Sequence, residues 1–334
     1  MNRRHLRCWI VAPLLLAAAP APAQDLPLTL DTRAVPLSES LADGATIGRI
    51  RFRGMLSLPT VKVGGVRMSQ LSALAWDDDE GVLYALSDKG YLFHLKPEIK
   101  NDMLTGVTLL KTVALTEPKD GKPLKGRRAD TEGMDIVHGR NGRTGDAELL
   151  VSFERTPRIV RYRPDGKALG ELSSPAALAN PAAYDDPNRM LEAVCVDPLL
   201  GVLTTPEAPL VGEPEGTTRI FGLSGKVWRY PVTGTNRITA MECLGDGRVL
   251  VLERDFRITR NLMSIRLATL PATPTAEPVA VAVTTVVTLD RAEGYQIDNF
   301  EGLTRHKGNR FFIVSDDNDL FVQRTLLLYF ELIN

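Results

Sequence analysis

The sequence predicts an all-β protein, a single β-propeller of about six four-stranded blades that follows a signal peptide. Three observations lead to this fold class: a short segment recurs along the chain, each copy is followed by a turn and an apolar strand, and helical periodicity is missing. A β-repeat of this length is typical of propeller blades, each of which buries its faces against its neighbours.

The recurring segment starts with a polar residue and continues with small or apolar ones. Its copies follow one another at intervals of 50 to 60 residues and begin at Ser72, Glu132, Glu192, Glu242 and Glu301. Each copy precedes a turn rich in Asp, Gly or Asn and then an apolar strand, at 82–86, 148–151, 202–205, 248–252 and 310–314. This pattern predicts one hairpin per blade, with further strands outside it.

The number of blades depends on the two ends of the repeat region. Residues 46–53 and 324–333 both resemble strands, and their pairing would close a sixth blade and remove exposed edges. The alternative is a five-bladed propeller with a decorated amino-terminal arm. Residues 118–130 and 172–190 break the pattern and are predicted to be long loops at one mouth of the propeller.

The first residues have the order of a secretory signal. A basic start is followed by an apolar run at 9–19 and by the small residues 21–23, so cleavage is expected after Ala23. The domains are therefore a signal peptide at 1–23, an extension at 24–44 and the propeller at 45–334. The apolar run is shorter than the roughly 20 residues of a spanning helix. We expect a periplasmic or secreted monomer without a membrane span.

Charge and cysteine content narrow the classes of partner. The net charge is −1, and no cluster of basic residues marks a nucleic-acid surface. Outside the signal, Cys195 and Cys243 occupy repeated segments, and a disulfide between them is an alternative in an oxidising compartment. Two buried free thiols are the favoured prediction, because sequence does not reveal whether their Cα atoms lie within bonding reach.

Acidic residues recur at two places in the repeat. The innermost strands of a propeller face one axis, so Glu132, Glu192, Glu242 and Glu301 are expected to converge there. Converging carboxylates need a compensating cation, and an oxygen-rich cluster suits Ca²⁺. The alternative is pairing with Arg155, Arg254 or backbone amides. A second acidic set ends the following strands and comprises Asp88, Glu154, Glu207, Glu253 and Asp316.

Several catalytic templates do not occur. The sequence has no Gly-x-Ser-x-Gly elbow, no His-Glu-x-x-His and no Cys-x-x-Cys. Nucleophilic serine and zinc chemistry of those types are therefore not predicted.

Five strings resemble the phytase-like propeller family, whose activity is described as esterase-like. They are LSALAW at 71–76, LYALSDKG at 83–90, VLVLERDF at 249–256, NFEGL at 299–303 and FIVSDDN at 312–318, the last continued by QRTLLLY at 323–329. The resemblance covers roughly residues 45–332. It implies hydrolysis of a small anionic ester or phosphoester assisted by Ca²⁺.

The resemblance also implies roles for individual residues. The metal candidates are Glu132, Glu192, Glu242, Glu301, Asp88, Asp316 and Asp317. Glu253 and Arg254 are the catalytic candidates, and Arg155, Arg254 and Lys89 are the substrate-binding candidates. Ser72 departs from the pattern, since it stands where the other copies have Glu.

Two other functions fit the same sequence. A non-enzymatic propeller would use the acidic mouth to bind a cationic or sugar ligand, or only to hold the blades together. A lactonase-type sugar ester hydrolase would place Ca²⁺ at the axis of an unrelated propeller, since fold does not fix function.

Overall fold

The computed structural model describes residues 26–257, 260–272 and 278–333, and these form five blades around one axis. The predicted signal peptide at 1–23 lies outside the described residues. The strands of blade 1 are Leu71–Asp77, Val82–Ser87, Tyr91–Lys100 and Met103–Ala114, and those of blade 2 are Thr131–Val137, Glu148–Phe153, Arg158–Tyr162 and Ala168–Leu172. Blade 3 contains Leu191–Asp197, Gly201–Pro206, Thr217–Gly222 and Val227–Pro231, and blade 4 contains Arg237–Cys243, Arg248–Arg257, Arg260–Thr269 and Ala282–Asp290.

Blade 5 combines the two ends of the chain. It contains Asn299–Arg305, Arg310–Asp316 and Leu326–Leu332, and its fourth strand is Ile50–Ser57, which pairs antiparallel with Leu326–Leu332. The predicted pairing of the ends is therefore confirmed, but the expected sixth blade is wrong. The reason is that the carboxy-terminal segment supplies only the third strand of blade 5, so the amino-terminal strand is used to complete it.

Shorter elements decorate the blades. Leu28–Thr29 extends blade 1, Val279–Ala280 extends blade 3, and Arg33–Ala34 and Thr46–Ile47 pair with Ile50–Ser57 in blade 5. Lys62–Val63 and Val66–Arg67 form a separate hairpin. The helical segments are one α-helical turn and three 3₁₀ turns: Ala176–Ala179, Gly126–Arg128, Pro181–Ala183 and Arg291–Glu293. In the described residues, no helix is long and apolar enough to cross a membrane.

The hydrophobic core lies between neighbouring blades. Strands with apolar residues on both faces fill these interfaces: Tyr84 of blade 1 and Val151 of blade 2 belong to one cluster, and Phe93 of blade 1 and Tyr329 of blade 5 belong to another. Burial of both faces explains why these strands are continuously apolar in sequence. Each blade is therefore stabilised by its two neighbours.

The first strand of each blade is the innermost, and these five inner strands contact one another around the axis. Each has a register irregularity near its start, where one extra residue bulges out of the pairing with the next strand. We call the first residue after the pair that precedes the irregularity the bulge position. In the five blades it is Ser72, Glu132, Glu192, Thr239 and Glu301. The bulge places the same position of every blade at one end of the channel.

Close approach of the inner strands explains a glycine next to this position. A Cβ atom on Gly133 would lie 2.5 Å from the Glu192 carbonyl oxygen and 2.9 Å from the Val194 nitrogen. Only glycine leaves room for the neighbouring backbone at that distance.

The two cysteines form a disulfide between the inner strands of blades 3 and 4. Cys195 and Cys243 have Cα atoms 5.6 Å apart. The prediction of free thiols is therefore wrong. The physical reason is that neighbouring inner strands pack side by side and bring residues 48 positions apart in sequence within bonding reach.

Candidate metal centre

Two rings of polar residues surround one end of the central channel, which we call the acidic mouth. The first ring is the bulge position, where Glu132, Glu192 and Glu301 supply carboxylates. In the other two blades this position holds Ser72 and Thr239, whose hydroxyls donate to backbone carbonyls. The second ring comes from the next strand of each blade and consists of Asp88, Glu154, Glu207, Arg254 and Asp316. Their cavity has a volume of about 170 Å³. It is smaller than the roughly 300 Å³ at which small-molecule pockets begin, so it has room for ions and one polar group.

Carboxylates crowd the side of the mouth formed by blades 2 and 3. Ligand atoms of Asp130, Glu132 and Glu154 lie within 4.8 Å of one another, and so do those of Glu154, Glu192 and Glu207. Glu154 belongs to both groups. The long loops predicted at 118–130 and 172–190 lead into the inner strands at this end, and they supply Asp130 and Asn188 to the cavity lining.

Glu132 and Glu192 both lack a hydrogen bond or ion pair to the described residues, and Glu192 is the more buried of the two. Glu192 is only 4% exposed. A buried carboxylate without a partner is costly and must be neutralised by a proton or a cation. This side chain therefore points to a bound ligand at the acidic mouth.

Burial raises the pKa values of the acids at the mouth, and neighbouring carboxylates raise them further. The pKa values of Glu132 and Glu192 lie well above the ordinary glutamate value. Those of Glu154 and Asp316 rise to about 8 and about 9. Without a cation, part of this cluster is protonated at neutral pH.

Arg254 provides the positive charge on the opposite side of the mouth. Its Nη2 atom lies 2.9 Å from Glu301 Oε1 and 3.7 Å from Glu207 Oε1, and its Nη1 atom donates to Asn299. Burial acts to lower its pKa, but Glu301, Glu207 and Glu192 hold the pKa above the ordinary arginine value. Arg254 therefore neutralises Glu301, and its Nη atoms are already engaged by the protein.

The other two substrate-binding candidates lie at the rim of the mouth. The Lys89 and Arg155 side chains are 60% and 42% exposed. Lys89 Nζ is 3.3 Å from Asp88 Oδ2, and Arg155 Nε is 2.9 Å from Asp130 Oδ2. One oxygen of Asp88, Oδ1, is buried and has no partner among the described residues.

Glu253 lies away from the mouth, in contrast to its predicted catalytic position. Its side chain is fully buried, and its oxygens accept hydrogen bonds from Tyr230 Oη (2.7 Å), Arg266 Nη1 (2.8 Å), Asn236 Nδ2 (3.1 Å) and the Thr233 amide (3.2 Å). Strand alternation explains the correction: Arg254, the next residue, faces the channel, so Glu253 faces the opposite side. Glu253 is a structural anchor between blades 3 and 4.

Glu242 lies at the other end of the channel, which we call the opposite mouth. It stands three residues beyond the bulge position of blade 4, and it shares a cavity with Asp135, Arg140 and Arg305. The expected convergence of Glu242 with Glu132, Glu192 and Glu301 is therefore wrong. Glu242 and Cys243 resemble the start of the recurring segment in sequence. In the structure, however, Thr239 occupies the bulge position of blade 4.

Asp317 also has a local structural role. Its carboxylate accepts hydrogen bonds from the Gln70 amide, the Asp319 amide and Thr325 Oγ1, at 2.9 to 3.0 Å. It orders the loop that follows the second strand of blade 5, and it does not line the acidic mouth. The adjacent Asp316 does line it.

The sequence prediction missed one acid and ranked two others incorrectly. Asp130 was not singled out because it precedes its strand and ends an irregular loop. Glu154 and Glu207 were recognised only as members of the second acidic set. The register of the hairpins could have indicated these positions. Glu154 and Glu207 each donate their backbone amide to the residue just before the neighbouring inner strand, which is Asp130 for Glu154 and Met190 for Glu207.

The chemistry of the donor set fits a hard divalent cation. The two groups of three offer carboxylate oxygens from Asp130, Glu132, Glu154, Glu192 and Glu207, without a histidine or a thiol. Ca²⁺ accepts six to eight oxygen ligands in loose geometry, and soft metals favour other donors.

Many solved structures are similar to this chain, among them three of low sequence identity. The β-propeller domain of Cps50 (Swd1) from Myceliophteria thermophila is 12% identical with a TM-score of 0.38, and the alignment covers 92% of this chain and 99% of that one. A gluconolactonase from Xanthomonas campestris, XC5397, is 12% identical with a TM-score of 0.39 and coverage of 93% and 99%. U3-55K is 9% identical, with a TM-score of 0.37 and coverage of 74% and 75%.

Comparison with sequences gave one family. No curated protein sequence matches the chain. The model of the phytase-like family, described as "esterase-like activity of phytase", matches residues 66–319, which is more than half of the chain and includes strands of all five blades. The chain therefore belongs to the phytase-like family.

Proposed function

We propose that this protein is a metal-assisted hydrolase of small anionic esters or phosphoesters, with Ca²⁺ bound at the acidic mouth. The observation that carries this proposal is Glu192, a buried carboxylate that has no partner in the described part of the chain and lies within 4.8 Å of ligand atoms of Glu154 and Glu207. Membership of the phytase-like family supports ester hydrolysis as the reaction class.

Five carboxylates would hold the cation. Glu154, Glu192 and Glu207 form one set, and Asp130 and Glu132 share Glu154 in the second. When bound, calcium supplies Lewis acidity: it polarises an ester or phosphoryl oxygen and lowers the pKa of water.

The remaining residues position these groups and the substrate. Arg254 pairs with Glu301 and lies near Glu207, so it fixes the acids on its side and reduces their mutual repulsion. Arg155 and Lys89 are exposed at the rim, where their cationic groups can orient an anionic substrate. The small volume of the mouth admits only the reacting group, so the rest of the substrate lies across the rim.

We also propose that the protein works in an oxidising compartment, the periplasm or the exterior. The disulfide between Cys195 and Cys243 supports this location, because such bonds persist where thiols are not kept reduced. The signal-like order of the first 23 residues gives independent support from sequence.

The first experiment measures Ca²⁺ binding by calorimetry on the mature chain, in the wild type and in two variants. Glu192→Gln removes the unpartnered carboxylate, and Glu242→Gln is the matched control, since both glutamates are on inner strands but at opposite mouths. We expect Glu192→Gln to abolish binding and Glu242→Gln to retain it. Equal binding in all three proteins would exclude the acidic mouth as the cation site.

The second experiment measures hydrolysis with Ca²⁺ and with chelator. p-Nitrophenyl phosphate, p-nitrophenyl acetate and phytate sample phosphoester and carboxylic ester substrates. We expect turnover that disappears with chelator and in Glu192→Gln. Binding of Ca²⁺ at Glu192 without turnover of any ester would replace the enzyme proposal with a ligand-binding propeller.

A further inference from the structure

A second cavity lies outside the acidic mouth and shares no lining residue with it. It is a groove of about 930 Å³ between the hairpin of blade 4, the 3₁₀ turn Arg291–Glu293 and the loop at 317–325 of blade 5. This volume is within the range of roughly 300 to 1,000 Å³ that small-molecule sites occupy.

Charged groups of both signs line the groove. Arg257, Arg260 and Arg291 line it, together with Asp290 and Asp298. Both aspartates are engaged by the backbone: Asp290 caps the 3₁₀ turn by accepting from the Ala292 amide, and Asp298 accepts from the Asn299 and Arg324 amides.

Arg291 is the unneutralised member of the set. Arg257 and Arg260 share one carboxylate, that of Asp255, whereas Arg291 has no ion pair within 4.0 Å among the described residues. An anionic group in the groove would therefore meet a guanidinium fork that no carboxylate of the described residues pairs with.

Two buried polar atoms also lack partners here. Asn261 is 6% exposed, and its Nδ2 donor has no hydrogen bond within the described chain; the same holds for the Gln323 Oε1 acceptor. Both residues line the groove. Such groups are rare because they cost stability, so they indicate a missing polar partner.

The rest of the lining is apolar. Phe256, Leu320 and Val322 contribute side chains, and Leu320 and Val322 are 53% and 65% exposed. They flank Phe321, which is 99% exposed, in a run of three consecutive exposed large hydrophobic residues. An apolar surface beside a free arginine matches a ligand with one anionic and one apolar part.

We propose that this groove binds a soluble amphiphilic anion, a carboxylate or phosphate attached to an apolar chain. Its anionic group contacts Arg291 and the Asn261 amide, and its chain lies against Phe256, Leu320 and Val322. The site is independent of hydrolysis at the acidic mouth.

The test is calorimetric binding of octanoate, acetate and octanol to the full mature chain. Acetate has the anion without the chain, and octanol has the chain without the anion. We expect octanoate to bind at least about tenfold more tightly than either. Octanol lacks a charge-assisted contact, which is worth roughly that factor, and acetate lacks the apolar chain, each buried CH₂ of which is worth about 0.8 kcal/mol. Equal binding of octanol or acetate would overturn the proposal, as would no binding of octanoate.

Variants locate the site. Arg291→Gln and Val322→Asp should each weaken octanoate binding by about tenfold. Their matched controls are Arg143→Gln, at an exposed arginine without an ion pair in the described structure, and Leu199→Asp, at a side chain that is 64% exposed. Equal weakening by the controls would overturn the assignment.

A vesicle-binding experiment distinguishes a soluble ligand from a lipid surface as the occupant of the groove. The protein is mixed with vesicles of phosphatidylcholine with and without phosphatidylglycerol and then sedimented. We expect it to remain in the supernatant. Sedimentation with the anionic vesicles, without octanoate binding, would replace the proposal with membrane docking.

Discussion

The two mouths of the propeller are built from the same five inner strands, but their charged side chains differ in whether they have partners in the protein. At the opposite mouth, Asp135 accepts from the amides of Val196 (2.6 Å) and Ile136 (2.7 Å), and Arg140 donates to the His306 carbonyl (2.7 Å). The Val196 contact and the Cys195–Cys243 disulfide join neighbouring blades, and the Arg140 contact connects blade 2 to blade 5. At the acidic mouth, Glu192 has no such contact with any residue that the structure describes.

Burial alone does not distinguish the two ends. Burial also raises the pKa of Asp135, to about 7, and that of Glu242, well above the ordinary value. The difference is partnership: contacts at the opposite mouth hold blades together, whereas at the acidic mouth the carboxylates of Glu132 and Glu192 have no partner among the described residues. Five predictions test this contrast.

The largest expected effect is the dependence of stability on pH. The folded pKa values of Glu154 and Asp316, about 8 and about 9, exceed their unfolded values near 4. Between these limits the folded state binds more protons, so the free energy of unfolding should fall as pH rises from about 4 to about 9 in chelator. Urea unfolding at pH 5, 7 and 9 measures this slope.

Calcium should separate the contributions of the two mouths to that slope. Bound at the acidic mouth, it should remove the share of Glu154 and leave that of Asp135 and Glu242, so Ca²⁺ should stabilise more at pH 8 than at pH 5. The same stabilisation at both pH values would contradict a carboxylate site.

Loss of Arg254 should have the next largest effect. Arg254→Met leaves Glu301 and Glu207 without their cation, and breaking a buried ion pair by removal of one partner costs about 3 to 5 kcal/mol. The control at the opposite mouth is Arg140→Met, whose side chain is 48% exposed and whose ion pair should be worth at most about 1 kcal/mol. Denaturant unfolding compares them, and equal losses would refute the contrast.

Removal of the disulfide should lower the free energy of unfolding without changing Ca²⁺ binding at the acidic mouth. The double variant Cys195→Ser, Cys243→Ser should lose about 2 to 4 kcal/mol of unfolding free energy, because the open chain has more unfolded conformations. Calcium affinity should stay within about threefold of the wild type, since the bond lies at the other end of the channel. A parallel loss of Ca²⁺ binding would show that the two mouths are coupled.

The smallest effect is expected from one methyl group at the acidic mouth. Gly133→Ala places Cβ against the Glu192 carbonyl and should cost about 1 to 3 kcal/mol, because backbone must move. Gly139→Ala is the control, since its nearest neighbour is the flexible Ile136 Cδ1 atom at 2.5 Å. Thermal unfolding should rank Gly133→Ala as the less stable variant; the reverse order would disprove the close-approach argument.

The sequence by itself determined the strands, their grouping and the family resemblance. Apolar runs such as 82–86 and 310–314 predicted strands that the structure contains. Such predictions succeed because strand formation, turns and burial on both faces depend on residues that are close in sequence. The same local signals placed Glu132, Glu192 and Glu301 at one recurring position. They also indicated that both chain ends would pair.

Only the tertiary structure decided which side chains meet. A bulge makes Thr239 rather than Glu242 the equivalent of Glu192, and alternation in the next strand exposes Arg254 to the channel while it buries Glu253. Five blades, the disulfide and the proximity of Asp130 to Glu154 likewise depend on how strands far apart in sequence pack. A shift of one residue in strand register moves every side chain to the other face of the strand. A recurring sequence pattern alone does not determine that register.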